Sequence, residues 1–296
     1  IRDNFTDGFF TVGETTIVKM TPGITTERDE RIITPGDALI DHVTVTLPEG
    51  DEWITDEAGK PVEIPVTVTS YGPFDTPQAQ TTDVPAGAPV AGTETLVFTA
   101  EGLKSTSGVA IADKPGFYAW VAVGAETEYS EEFSHDFWVE EETASARHEI
   151  THSSIAREYN VVPGGRAFDT ITIGGFPETQ GQFEGLGGWV ADGTLADVTV
   201  YGPLAEMPST EEVPADAPVF FETQIPAKNG VFNVGYTNDD MVVPTEGGHY
   251  VFVYSYDGDD RVAPFASAFN DVLEQFYVPT PEVPETPELP VQVVTQ

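Results

Sequence analysis

Polar and apolar residues alternate along most of the chain with period two, the pattern of half-buried β-strands. In "LIDHVTVTL" (39–47), Leu39, Asp41, Val43, Val45 and Leu47 share one face. In "AFDTITIGG" (167–175), Ala167, Asp169, Ile171 and Ile173 do the same. Helix-period patterns are scarce; "APFASAFNDVLEQF" (263–276) is the one helix-like stretch. Val, Thr, Tyr and Phe fill the strands, and Pro and Gly punctuate them, so the expected fold class is all-β. Each of the two apolar faces carries one carboxylate. Such a group costs several kcal/mol to bury unless it is paired, protonated or hydrogen-bonded.

The pattern repeats. "IITPGDALIDHVTV" (32–45) matches "NVVPGGRAFDTITI" (160–173), an offset of 128 positions from Asp41 to Asp169. "VTVTSYGPF" (66–74) matches "ADVTVYGPL" (196–204), and "TTDVPAGAPV" (81–90) matches "TEEVPADAPV" (210–219). "PGFYAWVAV" (115–123) matches "GGHYVFVYS" (247–255), and "HDFWVEE" (135–141) is aligned with "EQFYVPT" (274–280). The order is kept throughout, which marks a tandem duplication. About seven short strands per copy suit an immunoglobulin-like β-sandwich. The expected boundaries are 15–139 for copy 1 and 140–279 for copy 2. Residues 1–14 resemble the closing strand of an upstream copy, and 280–296 form a Pro-rich, extended spacer. The chain is thus expected to be a piece of a longer protein.

Composition narrows the function classes. Acidic residues number 50 against 12 basic ones, for a net charge of -38. Such a chain repels nucleic acid and anionic lipid surfaces. No apolar run of 18 residues marks a membrane span. There is no cysteine, which excludes disulfides and thiol chemistry. No metal site is expected from the five histidines. The acidic loops "YTNDDM" (236–241) and "YDGDDR" (256–261) offer oxygen ligands for calcium, but they lack EF-hand spacing. Solvated loops are the expected reading, and no cofactor is required.

The "I-x-T" first strand, the Pro-Gly turn, the Asp-led strand, the "VTVYGP"-type strand and the "G-x-Y" strand recur in that order. Together they resemble the ester-bond (VaFE-type) domains of Gram-positive, cell-wall-anchored surface proteins and adhesins, common in actinobacteria. The likeness spans nearly the whole chain through short motifs. It implies a covalent brace in which a first-strand Thr attacks a last-strand Gln carboxamide, releasing ammonia. The family supplies an Asp, a Glu and a His for proton transfer. Asp41 and Asp169 match the family Asp. Thr26 falls at the nucleophile position of copy 1 and Asp136 at its acyl position, with His42 and His135 as proton-transfer candidates. In copy 2, His152 falls at the nucleophile position beside Thr151, and Gln275 at the acyl position. The family Glu is replaced by Ala122 and Tyr254, and the family His by Glu128 and Ser267. A shared lysine-based amide is not expected, because Arg147 stands where copy 1 has Lys19.

The resemblance implies a structural stalk: extracellular, attached to the cell wall through the parent protein, monomeric, and no enzyme beyond autocatalytic bond formation. An alternative stays open, a glycan- or protein-binding adhesin module reading an unknown host ligand, with calcium assistance and no cross-link. Exposed aromatics near Trp53, Trp189 or the 256–266 loop would mark it. For Asp41 and Asp169 the plainer reading is a core-edge carboxylate bonded to amides or a tyrosine. For Thr26 with Asp136 it is a hydrogen bond across the sandwich. Alternation also places His42 and Thr170 on the face opposite each Asp.

Overall fold

A computed structural model describes residues 18–178, 180–183, 189–191 and 194–280. Residues 1–14, and the spacer beyond Thr280, lie outside the described residues. The fold is all-β, as the alternation predicts. The described strands are β1 (Gly23–Arg28), β2 (Ile32–Ile33), β3 (Asp41–Thr46), β4 (Ile64–Phe74), β5 (Val90–Phe98), β6 (Gly102–Ser105), β7 (Gly116–Gly124), β8 (Phe133–Ser134) and β9 (Thr143–Ala146). They continue with β10 (Thr151–Ala156), β11 (Asp169–Gly174), β12 (Gly181–Phe183), β13 (Trp189–Ala191), β14 (Leu195–Leu204), β15 (Val219–Pro226), β16 (Gly230–Val234), β17 (Gly248–Tyr256), β18 (Phe265–Ala266) and β19 (Gln275–Val278). A single 3-10 turn, Glu140–Glu142, is the only helical element among the described residues. No helix there is long and apolar enough to cross a membrane.

The chain divides into two compact units. Among the described residues, unit 1 takes 18–148 with those of 177–192 and 259–262; unit 2 takes 149–176, those of 193–258, and 263–280. The expected boundary at 139/140 therefore moves to 148/149. The reason is β9, which pairs antiparallel with β7 of copy 1, Ala119 opposite Thr143 and Gly116 opposite Ala146. Its sequence, "TASA", is small, half polar and fully buried, so it carries no alternating signal.

In unit 1 a three-stranded sheet, β1-β3-β6, faces a six-stranded sheet in which β7 is flanked by β4, β8 and β9. The core between them is built from Leu39, Val43 and Val45 on one side and Ile64, Val66, Val68, Tyr118, Trp120 and Ala122 on the other. Outside the larger sheet, Phe117, Ala119, Val121, Phe137 and Trp138 form a second cluster. Trp138 is fully buried there, edge-on to Phe74, and takes a positive φ of 64. This left-handed residue re-aims the chain leaving β8 toward the 3-10 turn. Gly72 is required in the "YGP" motif: its φ is 138, and a Cβ there would come within 2.5 Å of the Tyr118 ring.

Unit 2 repeats the plan. The sheet β10-β11-β16 accompanies a larger sheet in which β17 pairs with β14, β18 and β19. Tyr250 and Phe276 stack at 5.1 Å within it, and Phe269 joins Val251 and Val253 on its outer face. The stretch 263–276 is no helix. Phe265–Ala266 pairs with β17, and a turn at Asp271 leads into β19. The apolar residues read as a helical face are divided between these strands and the outer cluster.

Candidate functional site

Strand pairing brings two equivalent groups of polar side chains into the two cores. In unit 1, Thr26 pairs with Val43 across β1 and β3, while Asp41 opens β3 on the core-facing side. The polypeptide returns from β8 through the 3-10 turn and delivers Glu142 to the same place. Arg28 holds that turn from β1 by donating to the Glu140 carbonyl at 2.5 Å. Asp41 and Glu142 are both buried.

The Thr26 hydroxyl donates to Glu142 Oε1 and lies 3.1 Å from His135 Nε2. His135 Nδ1 lies 2.9 Å from the Asp136 carbonyl, which can only accept. The proton is therefore on Nδ1, and Nε2 is the acceptor. Nε2 also receives the Ala122 amide at 3.0 Å. Burial holds the imidazole below its ordinary pKa, so it is neutral and basic at Nε2.

The carboxyl pair is shifted the other way. Burial pushes Asp41 up to about 7. Burial first, and then the Asp41 charge, push Glu142 up to about 9. Two adjacent buried carboxyls cannot both ionise cheaply, so they retain a proton between them. A neutral Glu142 beside a hydroxyl and a neutral imidazole can serve as an acyl donor beside a nucleophile and a base.

Unit 2 holds the counterpart, offset by 128 positions at Ser154 and Asp169 and by 132 at Tyr254, Ser267 and Glu274. Ser154 pairs with Ile171 as Thr26 does with Val43, and its hydroxyl donates to Asp169 Oδ1 at 2.6 Å. Glu274, immediately before β19, stands where Glu142 stands before β9. Burial first, then the Asp169 charge, raise it to about 9. Asp169 is raised by burial too. Ser267 takes the place of His135, accepting the Tyr254 amide at 3.0 Å as His135 accepts that of Ala122. Tyr254 occupies the position of Ala122, with its hydroxyl pushed up to about 12 by burial. His152 takes the place of Ile24. Its ring stacks on Tyr254 at 5.5 Å, with Nε2 3.8 Å from Glu274 Oε1.

Several sequence expectations change accordingly. Thr26, Asp41, His135 and Asp169 lie in the two sites. Asp136 does not face Thr26: its carboxylate accepts from Gln80 at 3.1 Å, and only its carbonyl serves the site. The carboxyl that meets Thr26 is that of Glu142, six residues further on. Gln275 shares a strand face with Tyr277, not with the core residues Phe276 and Val278, so it points away from β10. Its amide is buried without a hydrogen-bond partner, and Glu274 takes the position assigned to it. His152 is not at the nucleophile position; Ser154 is, two residues later. Thr151 is exposed at the start of β10 opposite Gly174. His42 faces outward, 2.7 Å from Ser105 Oγ and 3.4 Å from Asp29, as alternation requires.

Ser154, Glu142 and Glu274 were missed, although keeping the Asp offset constant identifies Ser154 at once. The two glutamates follow from aligning "EETASA" (141–146) with "LEQFYV" (273–278), which the β7 and β17 registers impose.

Elsewhere the acidic loops serve their own turns. Asp240 accepts the amides of Gly235 and Thr237, and Asp259 those of Arg261 and Val262. No group of three or more metal-ligating side chains is found among the described residues. Trp53 is half-buried and donates to the Val62 carbonyl; the side chain of Trp189 lies outside the described residues.

No family model and no curated protein matches the chain. Among solved structures it is similar to Escherichia coli alpha-2-macroglobulin in its native conformation, at 11% identity and a TM-score of 0.30. That match covers 88% of this chain and 17% of the other. The trypsin-activated form matches at 10% identity and a TM-score of 0.30 over 88% and 17%. The elastase-activated form matches at 12% identity and 0.29 over 89% and 22%. The chain thus spans less than a quarter of these proteins, and identities and scores this low define no shared activity.

Proposed function

We propose that the chain is a stalk region of an extracellular, wall-attached bacterial surface protein, and that unit 1 braces itself with an ester between Thr26 and Glu142. The observation that carries this reading is the Thr26 hydroxyl held between Glu142 Oε1 and His135 Nε2 inside the sandwich. The resemblance to ester-bond domains supports the setting, and the high acidity suits a solvated rod that does not self-associate.

The chemistry balances as a condensation. Thr26 Oγ attacks Cδ of the neutral Glu142 carboxyl while His135 Nε2 takes the hydroxyl proton. The tetrahedral centre expels its hydroxyl as water, with a proton returned from His135. Asp41 keeps the electrophile protonated by disfavouring the Glu142 anion. Such an ester is uphill for separate molecules in water. Holding the hydroxyl, the carboxyl and the imidazole together speeds the condensation, with effective molarities of up to about 10⁵–10⁸ M for well-oriented groups, and the folded sandwich keeps the two reacting groups in contact.

The linked residues are 116 positions apart. By the loop-entropy argument, closing a loop of that size adds about 5 kcal/mol to equilibrium stability. Force applied at the first and last strands would load the bond before the hydrogen bonds. Unit 2 has the carboxyl pair and Ser154 but no imidazole on the hydroxyl, so it stays unlinked in this reading.

Intact-mass measurement of the denatured chain tests this. We expect the loss of one water, retained in denaturant and mapped to a peptide pair containing Thr26 and Glu142. Glu142→Gln should reach the same final mass by losing ammonia, and Thr26→Ala should have its full calculated mass. An unshifted mass for the native sequence would refute the brace.

A further inference from the structure

The candidate bond in unit 1 does not lie in a sealed core. A cavity of about 270 Å³ opens beside it, lined by Ile24, Thr25, Thr26, His135, Val139, Glu141 and Glu142. Both partners of the proposed ester line the cavity together with the imidazole that would move the proton. Its apolar walls, Ile24 and Val139, exclude competing hydrogen-bond partners. Glu141 is exposed and lines the same cavity. Beside Glu141, in a chain of net charge -38, it draws cations rather than anions.

The equivalent place in unit 2 carries two aromatic rings. Tyr254 replaces Ala122 and is buried, and His152 lies stacked against it. Ser154 is itself buried, whereas Thr26 is half-exposed. The duplicated plan thus leaves space for a guest in the unit with the imidazole.

We infer that this cavity is an acceptor site for a small primary amine, to which unit 1 transfers the Glu142 acyl group. The inference rests on the Thr26–Glu142 ester proposed above. The amine nitrogen attacks Cδ of Glu142, and the bond from Cδ to Thr26 Oγ breaks. His135 Nε2 takes a proton from the nitrogen and passes it to the departing Thr26 oxygen. The products are an amide on Glu142 and a free Thr26 hydroxyl, with no other reactant consumed. A primary amine fits better than an alcohol or a carboxylate. Its cationic form is gathered by Glu141, its free form is the stronger nucleophile toward an ester, and a neutral His135 is available for its proton. The unit would then attach itself covalently, once, to an amine-bearing surface or ligand, and would open its own brace in doing so.

The test uses the full chain and methylamine. Folded protein is incubated with the amine at mildly alkaline pH, denatured, and analysed by intact mass and peptide mapping. We expect the form lacking one water to convert to a form carrying one methylamide at Glu142, with the Thr26 peptide released. Thr26→Ala, which has no ester to open, should give no adduct. Ile24→Trp, which narrows the cavity from an edge strand, should retain the water loss and slow the adduct to background. A chain that keeps its water loss and gains no methylamine would overturn the acceptor site and leave the brace standing. Return to the full mass without an adduct would show hydrolysis only, and would also overturn it. No water loss at the start would remove the brace and the acceptor site together.

Discussion

The two sites share a plan and differ at four neighbouring positions. Asp41 and Glu142 in unit 1 correspond to Asp169 and Glu274 in unit 2, buried alike and raised alike. Around them, Thr26 becomes Ser154, His135 becomes Ser267, Ala122 becomes Tyr254 and Ile24 becomes His152. In unit 1 the hydroxyl lies between a neutral imidazole and the acyl carbon, next to a cavity. In unit 2 the hydroxyl is bound to Asp169, and the rings of His152 and Tyr254 stack beside it. The carboxyl pair is thus a property of the fold, common to both copies, whereas the Thr26–His135 arrangement on which the proposed bond rests is a property of what surrounds it. Proton sharing alone does not make a reactive site; a positioned base and an oriented nucleophile must be added to it.

Breaking the comparison at the hydroxyl should have the largest effect. Thr26→Ala is expected to lower the stability of unit 1 by about 5 kcal/mol through loss of the closed loop. Ser154→Ala should lower that of unit 2 by only about 1 kcal/mol, the worth of one hydrogen bond. Denaturant titration with separate probes for each unit measures both, and equal effects would show the sites to be equivalent.

Next in size is the packing. Tyr254→Ala should destabilise unit 2 by about 3–5 kcal/mol, as for other large buried aromatics. The corresponding position in unit 1 is already Ala122, surrounded by a core that accommodates it.

The third effect is a pH dependence that the ester would make smaller in unit 1 than in unit 2. Glu274 is held near 9 in the folded state, against about 4.3 in an unfolded chain. Asp169 is raised in the same sense. Protons kept by the folded state are released on unfolding, so this contribution is complete below about pH 4. It declines as pH rises toward 9 and is constant beyond, with a slope of at most about 1.4 kcal/mol per pH unit for each proton retained. Glu274→Gln should flatten the profile. In unit 1 an esterified Glu142 has no proton to lose, so the decline that remains is that of Asp41, confined between about pH 4 and about 7, and Thr26→Ala should extend it toward pH 9. Thermal melts between pH 5 and 9 read both units.

The smallest effect sharpens the comparison most finely. The Tyr254 hydroxyl is buried without a hydrogen-bond partner, so Tyr254→Phe should be neutral or slightly stabilising, within about 0.5 kcal/mol. A clear loss would reveal a role for that hydroxyl beside Glu274.

Much of this was legible in the residues. Strict alternation made Asp41 and Asp169 inward-facing and His42 outward-facing, and side-chain direction in a strand follows from local geometry alone. Thr26 follows from its motif position, and His135 only from its place beside Asp136. Glu142 was not, because it ends the run "EEE", which looks like a solvated surface, and it precedes "TASA", whose burial owes nothing to apolar period. Glu274 was displaced by its neighbour Gln275, the residue type that the resemblance led us to expect at the acyl position. The helix read over 263–276 failed for a related reason, since apolar residues there divide between a short strand, a turn and the outer face of a sheet.

By itself, then, the sequence determined the β class, the duplication and which face each strand residue takes, all of which are local or repetitive properties. Only the tertiary structure decided which carboxyl meets Thr26 and Ser154, and which copy keeps space beside it. The meeting of Thr26 with Glu142 joins residues 116 positions apart through the register of β7 with β9, and the register of β17 with β19 brings Glu274 to the same place in unit 2. Register across so long a loop is set by the packing of the whole sandwich rather than by any short stretch of chain.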